Sequence, residues 1–330
     1  MAEPLPSPLL HIARTAFGLT SLASLASLAV PLLWAVTASA QPVTVDALPV
    51  SELAPGVFVH FGAQQDWLPS NGGDVANLGF VVGSRCVAVI DSGGTLQVGQ
   101  RLRAAVAQQT ALPICYVVNT HAHPDHVLGN AGLLAPATEF VASRRFNAAL
   151  SARAPYYLNA LRRDFGLAPT DESVVYATLQ VEKTLALDLG GRVLTLTAWP
   201  TAHTDNDLTV YDERTRTLFL SDLLFVGHIP VIDGNLRGWL AVMKTLAALD
   251  VALAVPGHGP ASTDWPAALR PQQNYLDALL RETRAAIKAG ATLSQAVDRV
   301  AGPAAAAWLL AERFHRRNVT AAFAELEWED

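Results

Sequence analysis

Short apolar runs bounded by glycine, proline or polar turn residues recur through the first two thirds of the chain and predict β-strands. Gly56 to Phe61 and Leu78 to Val82 read as strands. Cys86 to Ile90 is a short apolar strand that ends at Asp91-Ser92-Gly93-Gly94, where glycine permits a tight turn, and the segment from there to Gln109 has helical periodicity. The next strand, Ile114 to Val118, completes a strand–helix–strand unit, which implies parallel pairing with a right-handed crossover. Ser143 to Gly166 reads as two helices broken near Ala154-Pro155, since an interior proline removes a helical hydrogen bond. Beyond it, strands are predicted at Val174 to Leu179, Lys183 to Leu187, Arg192 to Ala198, Leu208 to Tyr211 and Thr217 to Leu220. A helix from Leu236 to Leu249 precedes the strand Val251 to Val255, and from Trp265 the pattern is helical with breaks near Gly290 and Gly302-Pro303. Two strand-rich halves, each capped by helices, make this an α/β chain. The expected architecture is a four-layer αββα sandwich, with two mixed β-sheets face to face and helices outside. Residues 41–262 would form that domain, and 263–330 a C-terminal helical extension packed on it.

The first 40 residues are different. They hold one acid, Glu3, and one arginine, Arg14, then an apolar stretch from Ala16 to Val36. Ala38-Ser39-Ala40 fits the small-x-small rule for signal-peptidase cleavage, so 1–40 reads as a signal peptide, with an uncleaved anchor as the alternative. This places the mature protein in the periplasm or outside the cell, with no stable membrane insertion after cleavage. Removing one base and one acid leaves the net charge at -6. A mildly acidic chain without a basic stripe is a poor nucleic-acid binder. Hydrophobic residues at 51% and charged ones at 16% suit a compact enzyme and exclude disorder. Cys86 and Cys115, the only two cysteines, stand at matching positions on two strands predicted to be parallel. Two separate buried thiols are expected, with a disulfide as the alternative. Neither cysteine has metal-motif spacing, and no serine or cysteine sits in a nucleophile-elbow context.

The chemistry concentrates in Asn119-Thr120-His121-Ala122-His123-Pro124-Asp125-His126, directly after the strand ending at Val118. Three of the chain's nine histidines fall within six positions there. His121 and His123 are two apart, so in extended backbone both face the same way. Three later spots repeat the pattern of a ligand type just past an apolar strand: His203, Asp222, and His258 in the turn Gly257-His258-Gly259. Side chains at the carboxyl ends of strands converge on one sheet edge. Five imidazoles and two carboxylates suffice for two cations, with zinc favoured and iron or manganese as options. Ions so held bring the pKa of a shared water toward neutrality, so that a metal-bound hydroxide can attack a carbonyl or similar electrophile.

At these residues the chain resembles the metallo-β-lactamase fold superfamily, over roughly residues 50 to 262. The resemblance implies that His121, His123 and His203 hold one Zn2+, that Asp125, His126 and His258 hold a second, and that Asp222 bridges them. It places Asp91 behind the cluster as an orienting residue. The runs His123 to Asn130, His203 to Thr209, Asp222 to His228 and Asp233 to Trp239 are similar to the quinoprotein relay system zinc metallohydrolases. These are exported proteins associated with dehydrogenases that use pyrroloquinoline quinone (PQQ). Asp222 stands where one class of antibiotic-hydrolysing enzymes carries a metal-binding cysteine, which argues against β-lactam turnover.

The expected function is an exported binuclear zinc hydrolase of an ester, thioester, lactone or amide-type small molecule, linked to a periplasmic quinoprotein dehydrogenase system. The alternatives are a metal-binding accessory protein of that system with little turnover, or a β-lactamase-like enzyme. Catalytic candidates beside the ligands are Asp125, which could position the nucleophile; His228, as a donor at the mouth of the site or a loop cap; and Asn206, as an oxyanion donor or a turn former. Arg237 reads as a surface ion pair or an anion contact, Tyr156 and Tyr157 as cleft or core residues, and His60 as a satisfied histidine. The basic stretch Arg313 to Arg317, with His315, reads as solvated surface.

Overall fold

The computed structural model describes residues 45–329, so the signal peptide expected at 1–40 lies outside the described residues. Seven strands form the first sheet in chain order: β1 (Ser51–Ala54), β2 (Val57–His60), β3 (Leu78–Val82), β4 (Val87–Ile90), β5 (Ile114–Val118), β6 (Glu139–Ser143) and β7 (Leu179–Val181). It is antiparallel from β1 to β4 and parallel from β4 to β7. The second sheet runs through β8 (Thr184–Asp188), β9 (Val193–Ala198), β10 (Leu208–Asp212), β11 (Thr217–Phe225) and β12 (Leu253–His258), with only β11 and β12 parallel. Both sheets are mixed, as the α/β sandwich expectation requires.

Alternation along each strand explains the layering, because successive side chains point to opposite faces. In β4, Ala88 and Ile90 join Val118, Leu196, Val210 and Phe219 in the core between the sheets. Val87 and Val89 point the other way, toward α1 (Leu96–Gln109), where Val98, Leu102, Ala105 and Val106 cover them. On the second sheet, Phe219 faces inward while Leu218 and Leu220 pack outward. A strand buried on both faces reads as a continuous apolar run, which is why β4 and β11 stood out in the sequence.

The remaining helices are α2 (Pro124–Val127), α3 (Phe146–Arg163), α4 (Leu236–Ala247), α5 (Arg270–Lys288), α6 (Leu293–Arg299), α7 (Gly302–Ala305) and α8 (Ala311–Leu326). The outer face of the second sheet is covered by α4, through the fully buried Trp239, and by Tyr275 and Leu279 of α5 and Val319 and Phe323 of α8. No helix among the described residues is long and apolar enough to cross a membrane.

Three expectations need correction. Residues 146–163 form one helix, not two. Pro155 is exposed, so the carbonyl it leaves unpaired faces water, and both halves bury against one patch, Ala149 and Leu150 from the first and Tyr157 and Leu161 from the second. Val174 to Thr178 is not a strand. Its Ala177 exchanges two hydrogen bonds with the Asn147 side chain of α3 (2.9 and 3.0 Å), which replaces the sheet ladder, and only Leu179–Val181 pairs, with the first sheet. Cys86 and Cys115 form a disulfide, with Cα atoms 5.8 Å apart. An extra residue in β5 between Ile114 and Tyr116 sets Cys115 opposite Cys86 at the head of β4.

That crosslink closes a loop with a sequence separation of 29. Replacing both cysteines by alanine is expected to lower unfolding free energy by about 3 kcal/mol through the freer unfolded chain. Chemical denaturation with and without reductant checks it; equal midpoints for the two proteins under oxidising conditions reject it.

Candidate metal centre

All seven ligand-type residues come together at one end of the two sheets. β5 ends at Val118 and delivers His121 and His123; the single turn α2 then aims Asp125 and His126. His203 lies in the loop after β9, and His258 ends β12. Asp222 sits within β11, not beyond it. The apolar run breaks at Ser221-Asp222 while the strand continues, with its register against β12 shifted on both sides of Ser221, whose φ is 48°. The neighbouring strand must come very close here. A Cβ on Gly257 would lie 1.8 Å from Asp222 Oδ1, so only glycine fits.

Each imidazole is pinned from behind, and the pin fixes its tautomer. His203 Nδ1 donates to the Val231 carbonyl at 2.7 Å and His258 Nδ1 to the Val75 carbonyl at 3.0 Å. His126 Nδ1 donates to Asp91 Oδ2 at 2.8 Å. His121 Nδ1 lies 3.1 Å from Thr120 Oγ1, whose own proton goes to Asp91 or Ser221. His123 is reversed: Nε2 donates to Asp233 Oδ2 at 3.0 Å, so Nδ1 faces inward. Five rings therefore turn five nitrogens to the centre. His123 Nδ1 lies 3.0 Å from His121 Nε2 and 3.1 Å from His203 Nε2, with no proton left to place between them.

Asp222 divides the cluster. Its Oδ2 is 3.8 Å from His121 Nε2 and 3.4 Å from His203 Nε2, while Oδ1 is 3.3 Å from His126 Nε2 and 3.5 Å from His258 Nε2. Asp125 Oδ2 closes the second group, 3.4 Å from His258 Nε2. The donors fall into two metal-competent sets, His121/His123/His203/Asp222 and Asp125/His126/His258. His126 Nε2 and Asp222 Oδ1 are buried without a hydrogen-bond partner. Crowded inward lone pairs and orphaned buried acceptors are what a cation satisfies, and the nitrogen–carboxylate mix suits zinc.

The two sets hold protons differently. Burial drives His121 well below its ordinary pKa, reinforced by His126, and drives His203 down to about 3. Burial also opposes charge on His126 and His258, but Asp222 and Asp125 outweigh it and raise both, His126 strongly. Asp222 itself is held well below the usual carboxylate range by His258 and His126, against its burial.

Behind the centre, Asp91 accepts from Thr120 N (2.8 Å), Thr120 Oγ1 (2.8 Å), Ser221 Oγ (3.2 Å) and His126. One carboxylate thus ties the loop after β4, the end of β5 and strand β11. In front lies a cleft of about 560 Å3. Its floor carries His123, Asp125, His203, Asp222 and His258, and its walls come from Gln65–Pro69, α3 and α8.

His228 lines this cleft, its ring stacked at 5.0 Å on that of His258. Its Nδ1 donates to the Ile229 carbonyl at 2.6 Å, and burial, with His258 beside it, lowers its pKa to about 4. The ring is therefore neutral, with Nδ1 capping the loop and Nε2 left as an acceptor, so of the two roles expected for His228 the loop cap fits and the donor does not. Asn206 is absent from the cleft lining: its side-chain amide donates to Asp205 Oδ1 at 2.8 Å and its carbonyl accepts from Ser143 Oγ. The oxyanion role expected for Asn206 has no geometric basis, since its turn faces the protein interior. Arg237 pairs with Glu325 and Glu329, and His60 with Pro49 O and Asp74. Tyr157 donates to the Ala122 carbonyl, while Tyr156 is exposed at the rim.

The stretch 313–317 is not plain surface. Arg313, Phe314 and Arg317 line the cleft, and His315 turns inward to Tyr275 and Val300. Asp233, which holds His123, and Arg153, which bonds Asp233, carry no mark of site residues in the sequence. For Asp233, only its place six positions before Trp239, in a run flagged for other reasons, could have drawn notice.

A family model described as the metallo-beta-lactamase superfamily matches residues 71–258. Comparison with curated proteins returns no match. Among solved structures, the inverting sec-alkylsulfatase Pisa1 from Pseudomonas sp. is 15% identical, with a TM-score of 0.66 over 86% of this chain and 51% of that one. The chain thus spans about half the length of the alkylsulfatase. A metallo-beta-lactamase from Pontibacter korlensis (17%, TM-score 0.57, 70% of this chain and 99% of that one) and one from Erythrobacter litoralis (20%, 0.53, 69% and 95%) share the fold.

If Asp222 bridges, Asp222→Ala should deplete both cations, whereas His258→Ala should retain about one per chain at the histidine-rich set. Metal analysis of the two purified variants decides; equal loss rejects bridging. Protons compete with metal for imidazole nitrogen, and a raised pKa means protonation at higher pH. Acidification should therefore empty the Asp125/His126/His258 set first. Dialysis at stepwise lower pH should release metal in two stages, and His258→Ala should lack the earlier one.

Proposed function

The chain belongs to the metallo-beta-lactamase superfamily, and we propose that it is a metal-dependent hydrolase, an exported two-zinc enzyme acting on an ester, thioester, lactone or amide-type small molecule. We further propose that it serves a periplasmic quinoprotein dehydrogenase system, on the strength of the runs from His123, His203, Asp222 and Asp233 described above. The observation that carries the hydrolase reading is the split of Asp222: its two oxygens address two separate donor sets at the floor of an open cleft.

His121, His123 and His203 would hold one cation, Asp125, His126 and His258 the other, and Asp222 both. Cations held there would supply a water acidic enough to attack at neutral pH and would polarise the scissile group. The chain's own residues do the rest. Asp125 lies at the cleft floor, where its carboxylate can orient the attacking water and take its proton. The neutral His228 offers Nε2 as an acceptor beside the second set, suited to orient a hydroxyl or amide proton of the substrate. Buried rings around the floor, Phe225 stacked at 5.3 Å on His258 among them, exclude bulk water. No side-chain nucleophile is required.

An accessory role without turnover would call for a plugged site, and α3 instead forms one wall, with Tyr156 at its rim. β-Lactam hydrolysis is disfavoured by Asp222 in the bridging position. The alkylsulfatase adds sulfate esters to the substrates worth trying. Zinc-loaded mature protein should cleave at least one member of a panel of thioesters, lactones, phosphoesters, sulfate esters and β-lactams. His123→Ala should lower that activity by about a thousandfold or more. Turnover that survives the substitution, or a panel that is inert throughout, overturns the reading.

A further inference from the structure

Two guanidinium groups meet on one carboxylate at the cleft wall. Arg153 of α3 donates from Nη2 to Asp233 Oδ2 at 3.0 Å, and Arg317 of α8 from Nη2 to Oδ1 at 2.6 Å. Asp233 Oδ2 also accepts from His123. One carboxylate thus serves two guanidinium groups from two different helices. The other cleft arginines are matched singly, Arg313 with Asp66 and Arg163 with Asp164. Arg153 and Arg317 are the cleft arginines that share one carboxylate. Both line the cleft, with side chains 33% and 51% exposed, and each guanidinium has further N–H groups beyond the one given to Asp233.

A structural clip for Asp233 needs one arginine. A second, brought from a different helix to the same carboxylate and left half open to the cleft, is arranged for an incoming anion. Trp67, Leu68, Tyr156 and Phe314 line the same cleft with aromatic and aliphatic surface. We propose that Arg153 and Arg317 form a subsite for an anionic group of the substrate, of the carboxylate or sulfonate kind, distinct from the bond cleaved, with an apolar body laid against those aromatic walls. This deepens the hydrolase reading, on which the word substrate depends. Asp233 holds the pair apart in a fixed fork while it holds His123 by its Nε2, so the anion would be seated beside the first cation set.

Calorimetry with zinc-loaded protein tests this without turnover, using 4-phenylbutyrate and its neutral amide, 4-phenylbutyramide. The acid should bind about tenfold or more tightly than the amide, as charge-assisted hydrogen bonds to guanidinium require. Arg317→Gln and Arg153→Gln should each reduce that ratio toward unity, and Arg317→Lys should restore part of it, at metal contents equal to wild type. A carboxylate taken directly by zinc keeps its preference in both glutamine variants, and that result overturns the proposal, as does equal binding of acid and amide by the wild type. If one glutamine variant loses metal or fails to fold, the other carries the test. An inert substrate panel with the acid preference intact sinks the hydrolase reading and leaves the subsite standing; turnover with no acid preference does the reverse.

Discussion

A carboxylate buried among five imidazoles has no stable arrangement without positive charge shared around it. Asp222 is that carboxylate, and its desolvation sets the terms for everything nearby. With protons on the inward nitrogens the rings would carry charge into a dry interior. With protons outside, five lone pairs converge at close range and repel. The chain supplies an outward acceptor for each ring: three backbone or carboxylate oxygens on Nδ1, a threonine hydroxyl for His121, and Asp233 for the reversed His123. Burial keeps the inward nitrogens of His121 and His203 bare, while Asp222 and Asp125 favour a proton on His126 and His258. The repulsion is left for cations to resolve, which couples metal loading to the stability of the fold.

Holding such a cluster needs a rigid frame across two sheets, and Asp91 supplies it. Asp91 and Ser221 both adopt left-handed backbone, φ 58° and 48°, a conformation that costs a non-glycine residue about 1–2 kcal/mol. The cost is offset by what the geometry permits. Asp91 reaches Thr120 twice, His126 and Ser221, so one buried anion fixes the end of β5, the turn with His126 and the bulge that aims Asp222. A disturbance at Asp91 would reach both donor sets at once, though Asp91 touches the cations of neither.

The donors were readable in sequence because each follows an apolar run, and a strand's end sets where a side chain goes more firmly than its middle. The same logic misjudged Asp222. A polar pair at Ser221-Asp222 looks like a strand end, while in space the strand passes through it with a shifted register. Long-range supports were not legible. That Asn147 would replace a sheet ladder for Ala177, or that Asn206 would turn to Asp205 and away from the cleft, depends on partners that only folding brings near. The disulfide turned on a one-residue bulge in β5, which periodicity does not reveal. Pro155 was legible as a residue and misleading as a signal, since an exposed carbonyl finds water and the helix continues.

The basic stretch at 313–317 marks the deeper boundary of sequence reasoning. An amphipathic pattern says which face of α8 is buried, with Val319 and Phe323 on the second sheet, and treats the opposite face as solvent. Here part of that opposite face is a cleft wall. Every proposed donor lies within 71–258, the segment the family model matches, whereas Arg313, Phe314 and Arg317 lie beyond it and Gln65–Pro69 before it. Arg313 joins the two flanks by bonding Asp66 at 2.8 Å across the mouth. The donor residues thus belong to the part of the chain that is common to the superfamily, and the entrance is shared between that part, through α3 and Asp233, and the flanks outside it. Changes in α8 and the 65–69 loop can then reshape the entrance without moving a single donor atom.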